Sequence, residues 1–413
     1  MNFEFSDRMS SIKPSAIREV LKKKAMYPDA IIALSTGSPS AECVPVKEMW
    51  EVSDKIYRDH GTESLQYSMT EGYIPLRKLT ASRLQKRFGI NCTWEDVIIT
   101  TGGQQGLEIT PKVLCNPGDV AIVEAPSFVS GINAIKSNGA EVIGIDMDQE
   151  GMKVDKLREV IAEKAAEGKK VKLLYLIPTF QNPSGKTMSL SRRKEIYKLC
   201  VENNIVILED NPYGELRFSG EEIPTLKAMD TEGIVIYNGS YSKVISAGMR
   251  IGFICAPKEI LGRLIVAKQV GDCHTNLFFQ MAVAKYLEQY DLDAHIKDCQ
   301  DVYRKKCHFM LDLMEKHFDK RVSFTHPDGG LFIWASLPEG YDSKKLAELG
   351  VGPERIKSKT GVAIVPGCSF MVDDTAPCPA FRVNYSTPSY EDIEQGIQRL
   401  AECIDEILTK PAE

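Results

Sequence analysis

The sequence predicts an α/β protein, with a mainly parallel sheet between helices and a smaller α+β domain built from both termini, and three observations support this. Seven short apolar runs rich in Val and Ile recur between about residue 95 and residue 257. Each interval between these runs carries helix-like chain, which is the layering of a parallel sheet covered on both faces. Beyond about residue 300 the pattern changes to one long charged helix followed by short alternating strands.

In chain order, the first fifty or so residues contain a helix candidate after Pro14 and Ser15 and a Pro/Gly-rich loop, "STGSPSAECVPV". That is too little for a core of its own, so the segment is expected to pack on the C-terminal part. The predicted strands are "DVIIT", "VAIVEA", "EVIGIDM", "KLLYLIP", "IVILED", "IVIYNG" and "IGFICAP". Among the helices, "LSRRKEIYKLCVENN" sets Ile196, Leu199 and Cys200 on one face at i, i+3, i+4, with Ser191 as the expected N-cap. Later come the helix "CQDVYRKKCHFMLDLMEKHF" and the strand candidates in "VSFTHPDGGLFIWASLP", "GVAIVPG" and "FRVNYS". The expected division is an N-terminal segment (1–55), a large domain (56–299) and a small domain (300–413).

Composition narrows the function. The 413 residues are 43% hydrophobic and 26% charged, which is ordinary globular usage. A net charge of -6 and a pI near 5.7 argue against nucleic acid or an anionic membrane as partner, and point to small molecules. The eleven cysteines form no C-x-x-C pair, and the start "MNFEFSDRMS" lacks a basic-then-apolar signal. A reduced, cytoplasmic protein without structural zinc is the expectation. No apolar run approaches the roughly 20 residues that spanning a bilayer takes.

The chemistry centres on "NGSYSKVISAGMRIGF". Lys243 follows a buried strand among Ser240, Ser242 and Ser246, with Arg250 seven residues on. A lysine there is either snorkelling to water or engaged by a partner. Two hydroxyls, an arginine and free backbone N–H groups at a strand-to-helix junction would make a phosphate cup. An amine beside such a cup suits a Schiff base to a phosphorylated aldehyde. A pyridine ring used as an electron sink then needs a carboxylate at its nitrogen, which Asp210 in "VILEDNPYGEL" could supply, although it reads equally as a helix N-cap. "PTFQNPSGKTMS" offers Asn182, an uncharged donor, or merely a turn. "TTGGQQGLE" runs from a strand into a helix through Gly102 and Gly103 and is neither a Walker loop nor G-x-G-x-x-G. Phe128 after a strand end could stack on a flat ring or belong to the core. Arg382 in "AFRVNYS" is either an edge residue or a fork for a carboxylate.

With "STGSPS", "LQYSMTEGYIPLR", "TTGGQQGLE", "PTFQNPSG", "EDNPYGELRF", "SYSKVISAGMRIGF", "PDGGLFIW", "VPGCSF" and "FRVNYS" in this order, the chain resembles, over nearly its whole length, the fold type I aminotransferases that use pyridoxal 5′-phosphate. The seven-residue spacing from Lys243 to Arg250 matches the group that contains the kynurenine/2-aminoadipate aminotransferases. The resemblance implies that Lys243 carries the cofactor as a Schiff base and moves the substrate proton. It implies that Asp210 pairs with the ring nitrogen, that Asn182 and Tyr213 bond the ring oxygen, and that Phe128 stacks on the ring. The phosphate would be held by Gly103, Gln104, Ser240, Ser242 and Arg250, with Tyr67 reaching in from a second subunit of a homodimer. Position 103 is glycine where relatives carry serine, which removes a hydroxyl contact but leaves the backbone ones. Arg382, Asn182 and the Gly37 backbone would hold the substrate α-carboxylate. Arg18, in a helix that resembles the segment closing over the site, either meets a distal substrate group or is a solvated residue beside Glu19.

The implied reaction is ping-pong transfer of an α-amino group from an L-amino acid to a 2-oxo acid. A pyridoxal-phosphate lyase on the same fold is the first alternative, since fold does not fix reaction. A regulator with an aminotransferase-like domain is the second and is disfavoured, because it needs a DNA-binding domain ahead of "STGSPS", which begins at residue 35.

Overall fold

The computed structural model describes residues 3–6, 9, 12 and 16–409, without the side chains of 16–18, 20 and 21. Its centre is an eight-stranded sheet made of β2 (Val97–Thr101), β3 (Val120–Ala125), β4 (Glu141–Asp148), β5 (Gly151–Met152), β6 (Val171–Leu176), β7 (Val206–Asp210), β8 (Val235–Ser240) and β9 (Ile251–Cys255), numbered after the short N-terminal β1 (Ile31–Ala33). The order is β2-β9-β8-β7-β6-β3-β4-β5. Each of the seven Val/Ile runs is a strand. β3, β4, β6, β7 and β8 are parallel, whereas β9 lies antiparallel between β2 and β8, and β5 antiparallel to β4.

The strands are apolar on both faces because both faces are covered. On one face Ala121, Val123, Leu173, Tyr175, Leu208 and Ile236 pack against the helices Gly103–Leu114, Val129–Ser137 and Lys258–Asp272. On the other, Val120, Ile122, Leu174, Leu176, Ile207 and Val235 meet the helices Val154–Ala166 and Leu190–Glu202. Alternate residues of a strand point to opposite faces, so this division fixes which polar residues can share a side.

Beyond the sheet, the helix Leu292–His317 leads into a four-stranded antiparallel sheet of β10 (Ser323–Phe324), β11 (Phe332–Ser336), β13 (Val365–Pro366) and β14 (Ala380–Asn384), in the order β10-β11-β14-β13. β1 pairs in parallel with β12 (Gly361–Ala363), so the N-terminal segment joins the C-terminal part by hydrogen bonds. The last helix, Tyr390–Leu408, buries Ile393, Ile397, Leu400 and Ile404 along one stripe.

Three local readings are corrected. The N-cap of Leu190–Glu202 is Ser189, whose Oγ accepts from Arg192 N–H at 3.2 Å, and Ser191 lies within the first turn. The long charged helix starts at Leu292 because Asp291 caps it through Asp293 and Ala294 N–H, so the expected boundary after residue 299 falls inside it. No helix follows β8: residues 241–250 form a stack of turns, closed by Tyr241 N–H donating to the Ile251 carbonyl at 3.1 Å. All eleven cysteines are free. Among the described residues no helix is long and apolar enough to cross a membrane.

Candidate functional site

The C-terminal ends of β2, β3, β6, β7 and β8 open on one edge of the sheet, where ligands of open α/β sheets collect. Each strand end delivers part of the candidate site. β2 runs into the helix Gly103–Leu114 through Gly102, whose φ of 69° and ψ of 169° belong to a region reserved for glycine. A Cβ on Gly102 would stand within 2.2 Å of Arg250 Nη2, so the guanidinium lies directly against the start of that helix. Gly252 is equally tight, because a Cβ there would come within 2.6 Å of Gly102 C and Gly103 N. The helix start, Arg250 and the end of β8 thus close on one another. Arg250, itself at φ 56°, donates from Nη1 to Ser242 Oγ at 3.4 Å and to the Ala247 carbonyl at 3.1 Å, while Ser242 N–H donates to Ser240 Oγ at 3.1 Å. Gln104 is exposed on the first turn of the helix. Backbone N–H groups, two hydroxyls and a guanidinium around a helix N-terminus make an anion cup.

Lys243 projects from the turns after β8, partly buried, and its Nζ donates to the Gly37 carbonyl at 2.7 Å. Burial first, then the Arg250 and Arg382 cations, pull its amine down to about 8, so a far larger fraction is uncharged at neutral pH than for an ordinary lysine. Asp210, at the end of β7, does not cap a helix. It is buried, and burial raises its carboxyl to about 6 against the pull of two hydrogen bonds, Asn238 Nδ2 to Oδ1 at 2.8 Å and Tyr175 OH to Oδ2 at 3.0 Å. Lys243 adds a smaller stabilising pull on the same carboxylate.

The loop after β6 brings Asn182 to the same place. Its Nδ2 donates to Tyr213 OH at 3.3 Å and its Oδ1 accepts from Arg382 Nη1 at 2.8 Å, so one amide joins a phenol to a guanidinium. Burial holds the Tyr213 phenol well above its ordinary value, and it stays a neutral donor. Arg382 sits not on an edge but on β14, between β11 and β13, and is 2% exposed. Its Nη2 donates to the Ser35 carbonyl at 2.8 Å, and the guanidinium lies 4.1 Å from the Phe332 ring centroid and 5.0 Å from that of Phe370. Burial lowers it to about 10, so it remains a cation at neutral pH. Gly37 lies beside Phe332, where a Cβ would come within 3.1 Å of the ring.

Of the other expected residues, Phe128 is the N-cap of the helix Val129–Ser137 and packs, half-buried, against the core of that face. Tyr67 is 86% exposed, with its ring edge-on to His274, and among the described residues no hydrogen bond joins it to the groups above. Arg18 lies on the helix Ala16–Met26, but its side chain is outside the described residues. Sequence reasoning missed Tyr175, Asn238, the Ser35 carbonyl and the aromatic pair Phe332 and Phe370. Asn238 did carry a signal, a polar residue inside the apolar run "IVIYNG", on the parity that points to the same face as Ile236.

Residues 29–400 match the family described as aminotransferase class I and II. The chain is 40% identical to aromatic-amino-acid aminotransferase 1 of Thermococcus litoralis, over 98% of this chain and 95% of that one. It is 34% identical to 2-aminoadipate transaminase of Thermus thermophilus, over 98% and 97%. The solved kynurenine aminotransferase of Pyrococcus horikoshii, in complex with PMP and with KYN and KYA as substrates and products, superposes with a TM-score of 0.90 at 38% identity, over 97% of each chain.

Proposed function

The chain belongs to the class I and II aminotransferases, and from that premise we propose that it moves the α-amino group of aromatic and other large L-amino acids to a 2-oxo acid, with Lys243, Asp210 and Arg382 as its principal working residues. The observation that carries this reading is the convergence of a depressed amine, a buried carboxylate and a buried guanidinium fork at the strand ends beside an anion cup. The donor class follows the names of the relatives, one an aromatic-amino-acid aminotransferase and another a kynurenine enzyme.

The residues present fit pyridoxal 5′-phosphate. The cup formed around Gly102, Gly103, Ser240, Ser242 and Arg250 has the donor set of a phosphate monoester site, and Asp210 is an acceptor for a protonated ring nitrogen. Buried Ser35 Oγ, Thr36 Oγ1 and Arg382 Nε have no hydrogen-bond partner among the described residues, so the carboxylate side of the site retains unused polar capacity. Bound there, the cofactor supplies an aldehyde that takes up the amino group and a ring that accepts the electron pair left when the Cα proton departs. Gly103 and Gln104 N–H, Ser240, Ser242 and Arg250 hold its phosphate, and Phe128 covers its ring. Asp210 keeps the proton on the ring nitrogen, while Tyr213 OH and Asn182 Nδ2 donate to the ring oxygen. Arg382 grips the α-carboxylate by both Nη groups, with Asn182 and the Gly37 backbone beside it, and so fixes which Cα bond faces Lys243. The Lys243 amine takes that proton from Cα and later returns one, because it is a base within reach whose affinity for protons suits neutral pH.

Tyr67 serves the partner's phosphate in a homodimer. This reading is supported by its exposure and by the large apolar side chains that the protomer leaves at least half exposed, Trp50, Tyr57, Leu65, Met69, Val266 and Val270. Apolar side chains left exposed in one protomer suit burial against a second copy of the chain. Arg18 is assigned to the substrate side, the division into an N-terminal segment, a large domain and a small domain is kept with its last boundary moved ahead of the helix Leu292–His317, and the compartment is the cytoplasm.

Assaying aromatic, 2-aminoadipate, kynurenine, branched-chain and alanine donors against 2-oxoglutarate, and glutamate against a different 2-oxo acid, tests the function. Phenylalanine, tyrosine or kynurenine should be among the best donors, each yielding its 2-oxo acid and glutamate in equal amounts. Ammonia released without any acceptor would instead mark a lyase and reject the proposal. A second expectation concerns the cup. Gly102→Ala places a Cβ where Arg250 Nη2 now stands, and should weaken retention of pyridoxal 5′-phosphate about tenfold, the order of one charge-assisted hydrogen bond. Unchanged retention on equilibrium dialysis would dissociate Arg250 from the phosphate.

A further inference from the structure

We propose that Asn238 is a positioning residue that locks the Asp210 carboxylate to the helix start of the phosphate cup, so that both ends of the cofactor site are held as one rigid unit. The inference rests on the role assigned to Asp210 above. β7 and β8 are parallel and in a register that makes Asp210 and Asn238 direct neighbours, on the face covered by the helix Gly103–Leu114. Asn238 is fully buried. Its Nδ2 donates one hydrogen to Asp210 Oδ1 at 2.8 Å and the other to the Gly103 carbonyl at 3.1 Å. Both partners are acceptors, so the amide can stand in only one orientation.

The helix is shaped to this side chain. A Cβ on Gly106 would fall 2.1 Å from Asn238 Oδ1, and one on Gly103 would fall 3.2 Å from Nδ2. Among the described residues Asn238 Oδ1 finds no hydrogen-bond partner, a cost that a residue chosen only for packing would avoid and that the two donations from Nδ2 offset. A leucine would fill the volume but would leave the Gly103 carbonyl and one Asp210 oxygen without their donor. The groups facing Asp210 come from four places: Tyr175 from β6, Asn238 from β8, Lys243 from the turns after β8, and Tyr213 from its own loop. Tyr175 serves the second oxygen and touches the helix Val129–Ser137 at Gly131, where a Cβ would lie 2.4 Å from its ring. Each carboxylate oxygen is thereby tied to a different helix of the covering layer. Both bonds favour the ionised carboxylate against its burial, so losing Asn238 moves the carboxyl further up from about 6.

The test uses the cofactor-free protein and 4′-deoxypyridoxine 5′-phosphate, which keeps the ring nitrogen and the phosphate but has no aldehyde for Lys243. Calorimetric titration across pH should give about tenfold weaker binding for Asn238→Ala at pH 7. The pH below which binding declines should also rise, because the carboxylate becomes protonated sooner. Gly106→Ala, which keeps Asn238 but forces its amide to shift, should weaken binding in the same direction and serves if Asn238→Ala does not fold. Tyr175→Phe should raise the acid limb without loosening the helix start. Affinity within twofold of the parent and an unmoved acid limb in folded Asn238→Ala, alongside weakened binding in Asp210→Ala, would overturn this inference alone. Parent-like binding by Asp210→Ala would overturn the role of Asp210 and this inference with it.

Discussion

Lys243→Ala should lower kcat/KM for every amino donor by about 10⁴ or more, since it removes both the amine that carries the cofactor and the base that moves the Cα proton. The variant should fold, because Lys243 makes one hydrogen bond, to the Gly37 carbonyl, and stands in turns rather than in a strand. It should still bind pyridoxal 5′-phosphate through the cup, but no cofactor should remain on the chain after borohydride reduction. The parent offers a second readout. The attacking form is the free amine, and its pKa is about 8 in the fold against roughly 10.4 for an ordinary lysine. Attachment of the aldehyde to cofactor-free protein should therefore rise with pH through about 8 and level off above it. Substantial transamination by the alanine variant would remove Lys243 from its assigned role.

The layering of the sheet was legible because strands buried on both faces leave continuous apolar runs, and each of the seven became a strand. Direction was not. β9 reads like its neighbours in "IGFICAP", yet it runs antiparallel, since residues 241–250 return the chain beside β8 without a crossover helix. The helix expected after Lys243 is absent for the same reason. Asp210, Asn182, Lys243 and Arg250 stood out because polar or charged residues follow apolar strands at loop-like positions. Arg382 was harder to read, as an arginine in a short alternating strand suits an edge, and only the order β10-β11-β14-β13 shows it to be enclosed. The carbonyls of Ser35 and Gly37 could not be read as partners at all. A backbone acceptor has no residue signature, and both lie some 200 or more residues away in sequence from the side chains they serve. Asn238 was visible as a polar residue in an apolar run, but its meaning depends on the β7–β8 register, which a single strand does not encode.

Arg382→Leu should lower kcat/KM for α-amino acids by about 10² to 10⁴, the range for truncating one partner of a buried charge pair. Its fork is aimed before substrate arrives: Nη1 is held by Asn182 Oδ1, Nη2 by the Ser35 carbonyl, and the plane is packed against Phe332 and Phe370. Arg382→Lys keeps the charge, but its three donors cannot serve Asn182 Oδ1 and the Ser35 carbonyl and still hold a carboxylate by two bonds, so most of the loss should persist. The two variants should separate at Lys243. The Arg382 cation helps to depress the Lys243 amine, so leucine should shift the pH profile of cofactor attachment upward, while lysine should leave it nearly in place. An amine lacking the carboxylate provides the control. The parent should prefer phenylalanine to 2-phenylethylamine by a wide margin, and Arg382→Leu should nearly erase that preference by losing activity toward the amino acid alone. An equal loss toward both amines would mean that the substitution damages the site generally, and the carboxylate contact would have to be sought elsewhere.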